Sequence, residues 1–251
     1  MKSLKEFLFK NTENIIDCHF HAFGKFGVLK CKCKPLLLVD NPTHDSEPLL
    51  PYFDKYDYLL KKHDYLVIGQ DYDETIKILN KYPNCLGIGE VKVYKKHESS
   101  TEPGVIREHT DHEFLEKLVN SNINLPIFIH YDLKEDNVEW LDSILNKGKI
   151  IVLCHCGINK LFDQDKAFEL ARNLQQKHSN LFLDVSWEAL RYFIKHRDKL
   201  ANLDNCRLIY GSDNNRFNQE YYDDMLKISK YINNEMNLKL LCDLAKNKKE
   251  E

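Results

Sequence analysis

The feature that most constrains the fold is a repeated alternation of short apolar runs with longer amphipathic segments. The runs are continuously apolar rather than alternating, which is typical of strands covered on both faces, as in a parallel sheet. We therefore predict eight buried strands. They lie at residues 15–16, 36–39, 65–68, 86–89, 126–129, 150–153, 181–183 and 207–210.

Most of the segments between these runs carry helix signals. Thr-Asp-His-Glu at 110–113 matches a capping box ahead of an apolar face. Residues 134–147 also place apolar side chains on one face, and Gly148 is a plausible stop. No clear helix lies between Ile16 and Leu36, so the first helix is predicted to be missing or replaced by a loop. Further helices are predicted at 73–82, 163–177 and 219–232, and after residue 232.

The order of these elements predicts the fold class. A series of strands and helices with eight strands in 251 residues fits a closed (β/α)₈ barrel of the α/β class better than an open doubly wound sheet. We find no internal repeat, low-complexity linker or shift in composition. A single domain over 1–251 is therefore expected.

Composition and charge narrow the classes of function. Lys and Arg number 36 against 39 Asp and Glu, a net charge of −3. This balance disfavours a protein that coats nucleic acid by neutralising phosphates, although a local basic groove stays possible. No apolar run approaches the roughly 18 residues of a membrane span, and the first ten residues lack the apolar core of a signal peptide. We expect a cytoplasmic protein whose eight cysteines are reduced and mostly pack as small apolar residues.

Polar side chains gather where the predicted strands end. In a closed barrel, the carboxyl ends of the strands converge on one mouth, where such enzymes carry their active sites. Five of the eight strands end in a histidine or carboxylate that can bind a metal. The motifs are Asp17-Cys18-His19-Phe20-His21, Gly89-Glu90-Val91-Lys92, His130-Tyr131-Asp132, His155-Cys156-Gly157 and Gly211-Ser212-Asp213.

His19 and His21 form the most informative pair. Residues two apart on a strand point the same way, about 7 Å apart, so both imidazoles can share one divalent ion. An isolated pair of this kind is more often two buried histidines bonded to the backbone. His130 and His155 occupy equivalent strand ends, which favours a four-histidine metal cluster here.

Glu90, Lys92 and Asp213 complete the predicted site. The carboxylate of Glu90 has two oxygens with which to bridge two cations. Lys92 could contact an anionic substrate, act as a carbamylated bridging ligand, or form a buried ion pair with Glu90. Asp213 could be a metal ligand or the base that takes a proton from a metal-activated water.

Taken in order, these residues resemble the amidohydrolase superfamily of metal-dependent hydrolases. That family has a His-x-His motif on strand one, an acidic or lysine ligand on strand four, single histidines on strands five and six, and an aspartate on strand eight. The resemblance implies a first metal held by His19 and His21, with Asp213 as axial ligand and proton acceptor. The matching positions are His19, His21, Glu90, His130, His155 and Asp213.

The same resemblance implies a bridging Glu90, with His130 and His155 holding a second metal or orienting the substrate. It implies one or two divalent ions, with zinc expected first and manganese or magnesium as alternatives. The reaction would be attack by a metal-activated water on an amide, ester or phosphoester. A protonated Lys92 or a second cation would polarise the oxygen under attack.

Two branches of the superfamily are similar to this chain. Gly-Ile-Gly-Glu-Val at 87–91 is similar to the strand-four motif of TatD-like deoxyribonucleases, but Lys-Val-Tyr at 92–94 replaces their usual Gly-Leu-Asp. Gly-Ser-Asp-Asn at 211–214 is more similar to the amidohydrolase-related group that includes decarboxylases. A small-molecule hydrolase is the main hypothesis. The alternatives are a TatD-like nuclease acting on nucleic acid, a metal-dependent decarboxylase and a non-catalytic metal-binding barrel; the oligomeric state stays open.

Overall fold

The computed structural model describes part of the chain. For residues 16–22, 34–39 and 65–67, only the backbone is described. The described residues are 16–22, 34–39, 65–67, 71–82, 85–98, 104–201, 207–211, 213, 219–229, 231–232, 237, 239–241 and 243.

A largely parallel sheet forms the centre of the described structure. Its hydrogen-bonded order is β1-β2-β3-β4-β6-β7-β8-β9, and every neighbouring pair in this order is parallel. The short β5 pairs antiparallel with β4. The predicted α/β class is therefore confirmed. The strands are β1 (Ile16–Ala22), β2 (Lys34–Val39), β3 (Tyr65–Val67), β4 (Cys85–Glu98), β5 (Ile106–His109), β6 (Ile127–Tyr131), β7 (Ile151–Leu153), β8 (Leu181–Val185) and β9 (Leu208–Tyr210).

Helices follow most of the strands. Two of them begin at aspartates that cap the first turn: the side chain of Asp71 accepts a hydrogen bond from Glu74 N, and that of Asp163 accepts one from Lys166 N. Predicted helices at 73–82 and 163–177 are confirmed nearly to the residue. The described helices are α1 (Tyr72–Lys81), α2 (His112–Asn120), α3 (Val138–Leu145), α4 (Gln164–Lys177), α5 (Trp187–Lys195), α6 (Arg197–Ala201) and α7 (Gln219–Ser229).

The core lies between the sheet and these helices. Ile129, Leu153 and Leu183 stand side by side on β6, β7 and β8, and each is fully buried. Burying such a side chain stabilises the fold by roughly 1.5–3 kcal/mol. Every residue of β6, β7, β8 and β9 is buried, which explains why these strands read as unbroken apolar runs.

Several elements differ from the prediction. β4 extends far beyond 86–89 and turns back through β5, because the alternation after Glu90 continues the strand with buried Val91 and Val93. α5 and α6 were not predicted. The capping box at 110–113 is wrong, since Asp111 is the N-cap residue and its side chain makes no capping hydrogen bond.

Several predictions fall partly or wholly outside the described residues, among them the strands at 15–16 and 65–68 and the helix at 219–232. The missing first helix concerns residues 23–33, which are not among them. In the predicted C-terminal helix, residues 237, 239–241 and 243 are helical. Among the described helices, none combines the length and apolarity that crossing a bilayer requires.

Candidate metal centre

Three buried side chains meet at one edge of the sheet. Glu90 lies in β4, His130 in β6, and His155 in the 3-10 turn Cys154–Gly157 that directly follows β7. These strands are parallel neighbours, so their carboxyl ends share one edge. Glu90 Oε1 lies 2.5 Å from His130 Nδ1 and 3.2 Å from His155 Nε2. Each of the three residues offers one potential ligand atom, and these three atoms lie within 4.8 Å of one another.

The close approach of β4 to β6 depends on Gly89. Its φ is +129°, and a Cβ placed there would lie 2.1 Å from the carbonyl oxygen of Phe128. No other residue type fits so close to a neighbouring backbone. Gly89 thus lets the next residue, Glu90, reach His130.

Left-handed backbone is concentrated around this cluster. Among the described residues, four that are not glycine have positive φ: His155, Cys156, Trp187 and Asp213, at 55°, 53°, 39° and 54°. Each lies two or three residues after the carboxyl end of β7, β8 or β9. Such conformations cost on the order of 1–3 kcal/mol each and gather at functional sites. The strain supports a functional role for this edge of the sheet.

Asp213 joins the cluster from the end of β9. Its Oδ2 lies 3.8 Å from His155 Nε2, and its side chain is 17% exposed, whereas those of Glu90 and the two histidines are at most 3% exposed. Asp213 is therefore the most exposed of these four side chains. The structure thus places four of the six predicted ligands together.

The other predicted residues have different outcomes. His19 and His21 lie in β1, but their side chains are outside the described part of the chain, so their predicted role stays a prediction. Lys92 is half-buried beside His130 in the sheet register, and no hydrogen bond or ion pair joins its described side chain to Glu90. The predicted ion pair between Glu90 and Lys92 depended on side chains alternating regularly between the two faces of β4. Register shifts between Ile88 and Val91, and again after Lys92, interrupt that alternation.

Lys95 is a cation that acts on Glu90, and no sequence pattern indicated it. Burial is the largest influence on the Glu90 carboxyl and raises its pKa. The charges of Lys95 and His130, followed by a hydrogen bond from His130, outweigh burial and hold the pKa well below its usual range. Glu90 is therefore an anion with oxygens available to a cation.

His130 has a second carboxylate on its far side. Its Nε2 lies 3.2 Å from Asp132 Oδ1. The other oxygen of Asp132 accepts hydrogen bonds from the Lys96 backbone N–H at 2.7 Å and from Asn159 Nδ2 at 2.8 Å. Asp132 is therefore fixed in place and orients the His130 ring.

His155 has a hydroxyl group on its far side. Its Nδ1 lies 2.8 Å from Ser186 Oγ, and Ser186 Oγ donates to Asp184 Oδ2 at 2.6 Å. The ring also meets Trp187 edge-on at a centroid distance of 5.6 Å. Signals for the carboxylates did exist: Asp132 is two residues after His130, and Asp184 follows the apolar run 181–183 directly.

The donor set suits a divalent cation. Two imidazole nitrogens and a carboxylate oxygen form a ligand set typical of zinc and of related first-row metals. Four carboxylates surround the two imidazoles directly or through one hydroxyl, which leaves an excess of negative charge that a divalent cation would offset. They belong to Glu90, Asp132, Asp184 and Asp213.

Comparison with protein-family models finds no family that matches this chain, and comparison with curated proteins finds no matching sequence. What the site does must therefore be inferred from its own chemistry.

Proposed function

We propose that this chain is a metal-dependent hydrolase of the amidohydrolase type, acting on an amide, ester or phosphoester bond of a small molecule. The observation that supports this best is the single oxygen of Glu90 that lies against nitrogens of two buried histidines. A buried anion whose oxygen faces the nitrogens of two buried histidines is expensive to maintain, and a bound cation makes it favourable.

We further propose that the sheet closes into the predicted (β/α)₈ barrel. The eight parallel strands form one path, and its two ends, β1 and β9, lie in contact. Closure would bring His19 and His21 to the same rim as Asp213. Hydrogen exchange tests this: in a closed barrel, amides of both terminal strands exchange slowly, whereas an open sheet leaves half of each edge strand unprotected.

The proposed chemistry divides between the cation and the chain. A divalent cation, when bound, lowers the pKa of a water it coordinates and polarises a substrate oxygen. His130, His155 and Glu90 would hold that cation. Asp213 Oδ2, next to His155 and partly exposed, would accept the proton that the attacking water loses and pass it to the leaving group.

Zinc titration of the metal-depleted protein tests the binding step. We expect the wild type to bind at least one zinc ion per chain by calorimetry. Glu90→Gln, which keeps the shape but removes the charge, should bind at least about 100-fold more weakly, beyond the 10–100-fold typical of residues that only support a ligand. Glu188→Gln is the matched control, because Glu188 is also buried but pairs with Arg191 at 3.0 Å.

Turnover of a panel of esters, amides and phosphoesters tests the reaction. Activity should disappear with a chelator and return with zinc. Activity that resists complete metal removal would contradict the proposal, and so would a wild type that binds no divalent ion. Release of CO₂ without hydrolysis, or cleavage of DNA in preference to every small substrate, would instead favour the decarboxylase or the nuclease.

A further inference from the structure

We propose that Ser186 and Asp184 are positioning residues that fix His155 in the tautomer whose Nε2 lone pair faces Glu90. This inference rests on the proposed function, because it assigns these two residues to the support of the metal centre. Neither residue touches the candidate ligand atoms of Glu90 or His130. Both act through His155.

The direction of each hydrogen bond follows from its donors. The Ser186 hydroxyl has one hydrogen, and its 2.6 Å distance to Asp184 Oδ2 is typical of a hydroxyl that donates to a carboxylate. With that hydrogen committed, Ser186 Oγ can only accept from His155 Nδ1, 2.8 Å away. His155 Nδ1 therefore carries a ring proton, and in the neutral ring Nε2 is a lone pair.

This tautomer points three electron-rich atoms at one place. His155 Nε2 faces Glu90 Oε1 at 3.2 Å and Asp213 Oδ2 at 3.8 Å. A nitrogen lone pair against two carboxylate oxygens is repulsive unless a cation lies among them. We call the hydrogen-bonded series from Asp184 through the Ser186 hydroxyl to His155 the hydroxyl relay. It prepares His155 to act as a metal ligand.

The surroundings of the relay make it hard to replace. Asp184 and Ser186 are both fully buried, so bulk water cannot substitute for either group. His130 has a comparable arrangement without the hydroxyl, with Asp132 directly at its Nε2. Carboxylates behind metal-binding histidines are the usual means of fixing ring tautomers and raising ligand basicity.

The relay predicts an unusual effect for an isosteric change. In Asp184→Asn, the new amide can donate to Ser186 Oγ. The Ser186 hydrogen is then free to turn toward His155 Nδ1, and the ring proton moves to Nε2. Asp184→Asn should therefore block His155 as a ligand, although it changes almost no volume.

Two measurements on the full chain test this. Long-range ¹H–¹⁵N correlation spectra of histidine-labelled protein report the tautomer of His155, and calorimetry reports the dissociation constant of zinc. We expect Nδ1–H in the wild type and Nε2–H in Asp184→Asn, with zinc binding weakened about 10–100-fold. Ser186→Ala should weaken binding by a similar factor, and Ser186→Thr, which keeps the hydroxyl, should restore it.

Thr75→Ala provides the matched control. It removes another buried hydroxyl, one that donates to Asp71 O at 2.7 Å in the first turn of α1, and should leave zinc affinity unchanged. If Asp184→Asn does not fold, the wild-type spectrum and Ser186→Ala decide the question.

Different results separate the two proposals. Wild-type His155 with its proton on Nε2, or folded relay variants that bind zinc as tightly as the wild type, would overturn the relay alone. A wild type that binds no zinc would overturn the metal centre, while the spectrum of the metal-free protein still tests the tautomer.

Discussion

At the residue scale, Gly89 matters as much to the site as any reactive side chain. It supplies the space that brings β4 against the Phe128 carbonyl, and Glu90 follows it immediately. Two separate constraints act on it, the positive φ and the lack of room for a Cβ. A substitution at this position should therefore disturb both the sheet and the carboxylate that faces the two histidines.

Gly89→Ala should lower the free energy of unfolding by at least about 2 kcal/mol, since strain and a backbone clash act together. Gly148→Ala separates the two causes. Gly148 also has positive φ, at +79°, but an added Cβ would meet nothing within 4 Å, so a loss of about 1 kcal/mol is expected. Urea unfolding of both variants checks this. Equal losses would show that the approach to Phe128 is not tight.

At the element scale, α3 and the end of α4 are joined by a polar cluster at the opposite end of the sheet. Asp142 of α3 accepts hydrogen bonds from His178 Nε2 at 2.6 Å and from Lys177 Nζ at 2.7 Å. The hydrogen bond from His178, followed by that from Lys177, lowers the pKa of the Asp142 carboxyl. His178 is buried and immediately precedes the turn into β8, so this cluster fixes where that strand begins.

The lowered pKa predicts how stability depends on pH. The contribution of ionised Asp142 is fully present above the unfolded-state pKa of about 3.9 and is lost as the pH falls through the folded-state value. Asp142→Asn should therefore reduce stability by roughly 1 kcal/mol at neutral pH, and the difference from the wild type should shrink below about pH 4. Urea midpoints measured between pH 3 and pH 7 check this.

Asp136→Asn is the control for that series. The Asp136 side chain is 74% exposed and lies 3.5 Å from Lys134 Nζ. Ion pairs at the surface contribute about 0–1 kcal/mol to the free energy of unfolding. A difference for Asp142→Asn that persisted undiminished at pH 3 would contradict the charge-based explanation.

The predictability of the elements follows from how they are buried. β6 to β9 were predictable because burial on both faces requires continuous apolar residues. β5 was not, because it pairs only with β4 among the described strands and its Ile-Arg-Glu-His sequence has no apolar pattern. α5 begins directly after β8 with Ser186 as its N-cap, so a start signal was present and the prediction overlooked it, although the Ser186 side chain makes no capping bond.

The same reasoning applies to the site. Glu90, His130 and His155 were predictable because parallel strands present their carboxyl ends at one edge. The role of Ser186 depends on its contact with His155, which lies 31 residues earlier and which no sequence pattern reveals. The charge of Lys95 rather than that of Lys92 lowers the pKa of Glu90, and no hydrophobic pattern reveals the irregular register of β4 between these positions.

At the scale of the whole molecule, the metal centre joins parts of the chain that are far apart in sequence. Glu90 and Asp213 come from opposite halves of the sheet path, and His130 and His155 lie between them. A cation held by this set would bind the folded chain and not the unfolded one. Its binding free energy would therefore add to the stability of the entire fold.

Zinc should accordingly raise the melting temperature. At a free concentration of 100 times the dissociation constant, the stabilisation is about 2.7 kcal/mol, or roughly 5–10 °C for a chain of this size. Differential scanning fluorimetry checks this, with a chelator expected to reverse the shift and Glu90→Gln expected to show none. A similar rise in Glu90→Gln would locate the stabilising ion elsewhere.

The left-handed residues along the rim have a consequence for laboratory evolution. Glycine at position 156, 187 or 213 would remove the backbone strain of a left-handed residue and, where packing allows, raise the free energy of unfolding. At 213 the same exchange would discard the proposed proton acceptor. Selection for thermal stability alone should therefore replace these left-handed residues first, including Asp213. Retention of Asp213 in a stabilised variant selected also for function would show that function requires it.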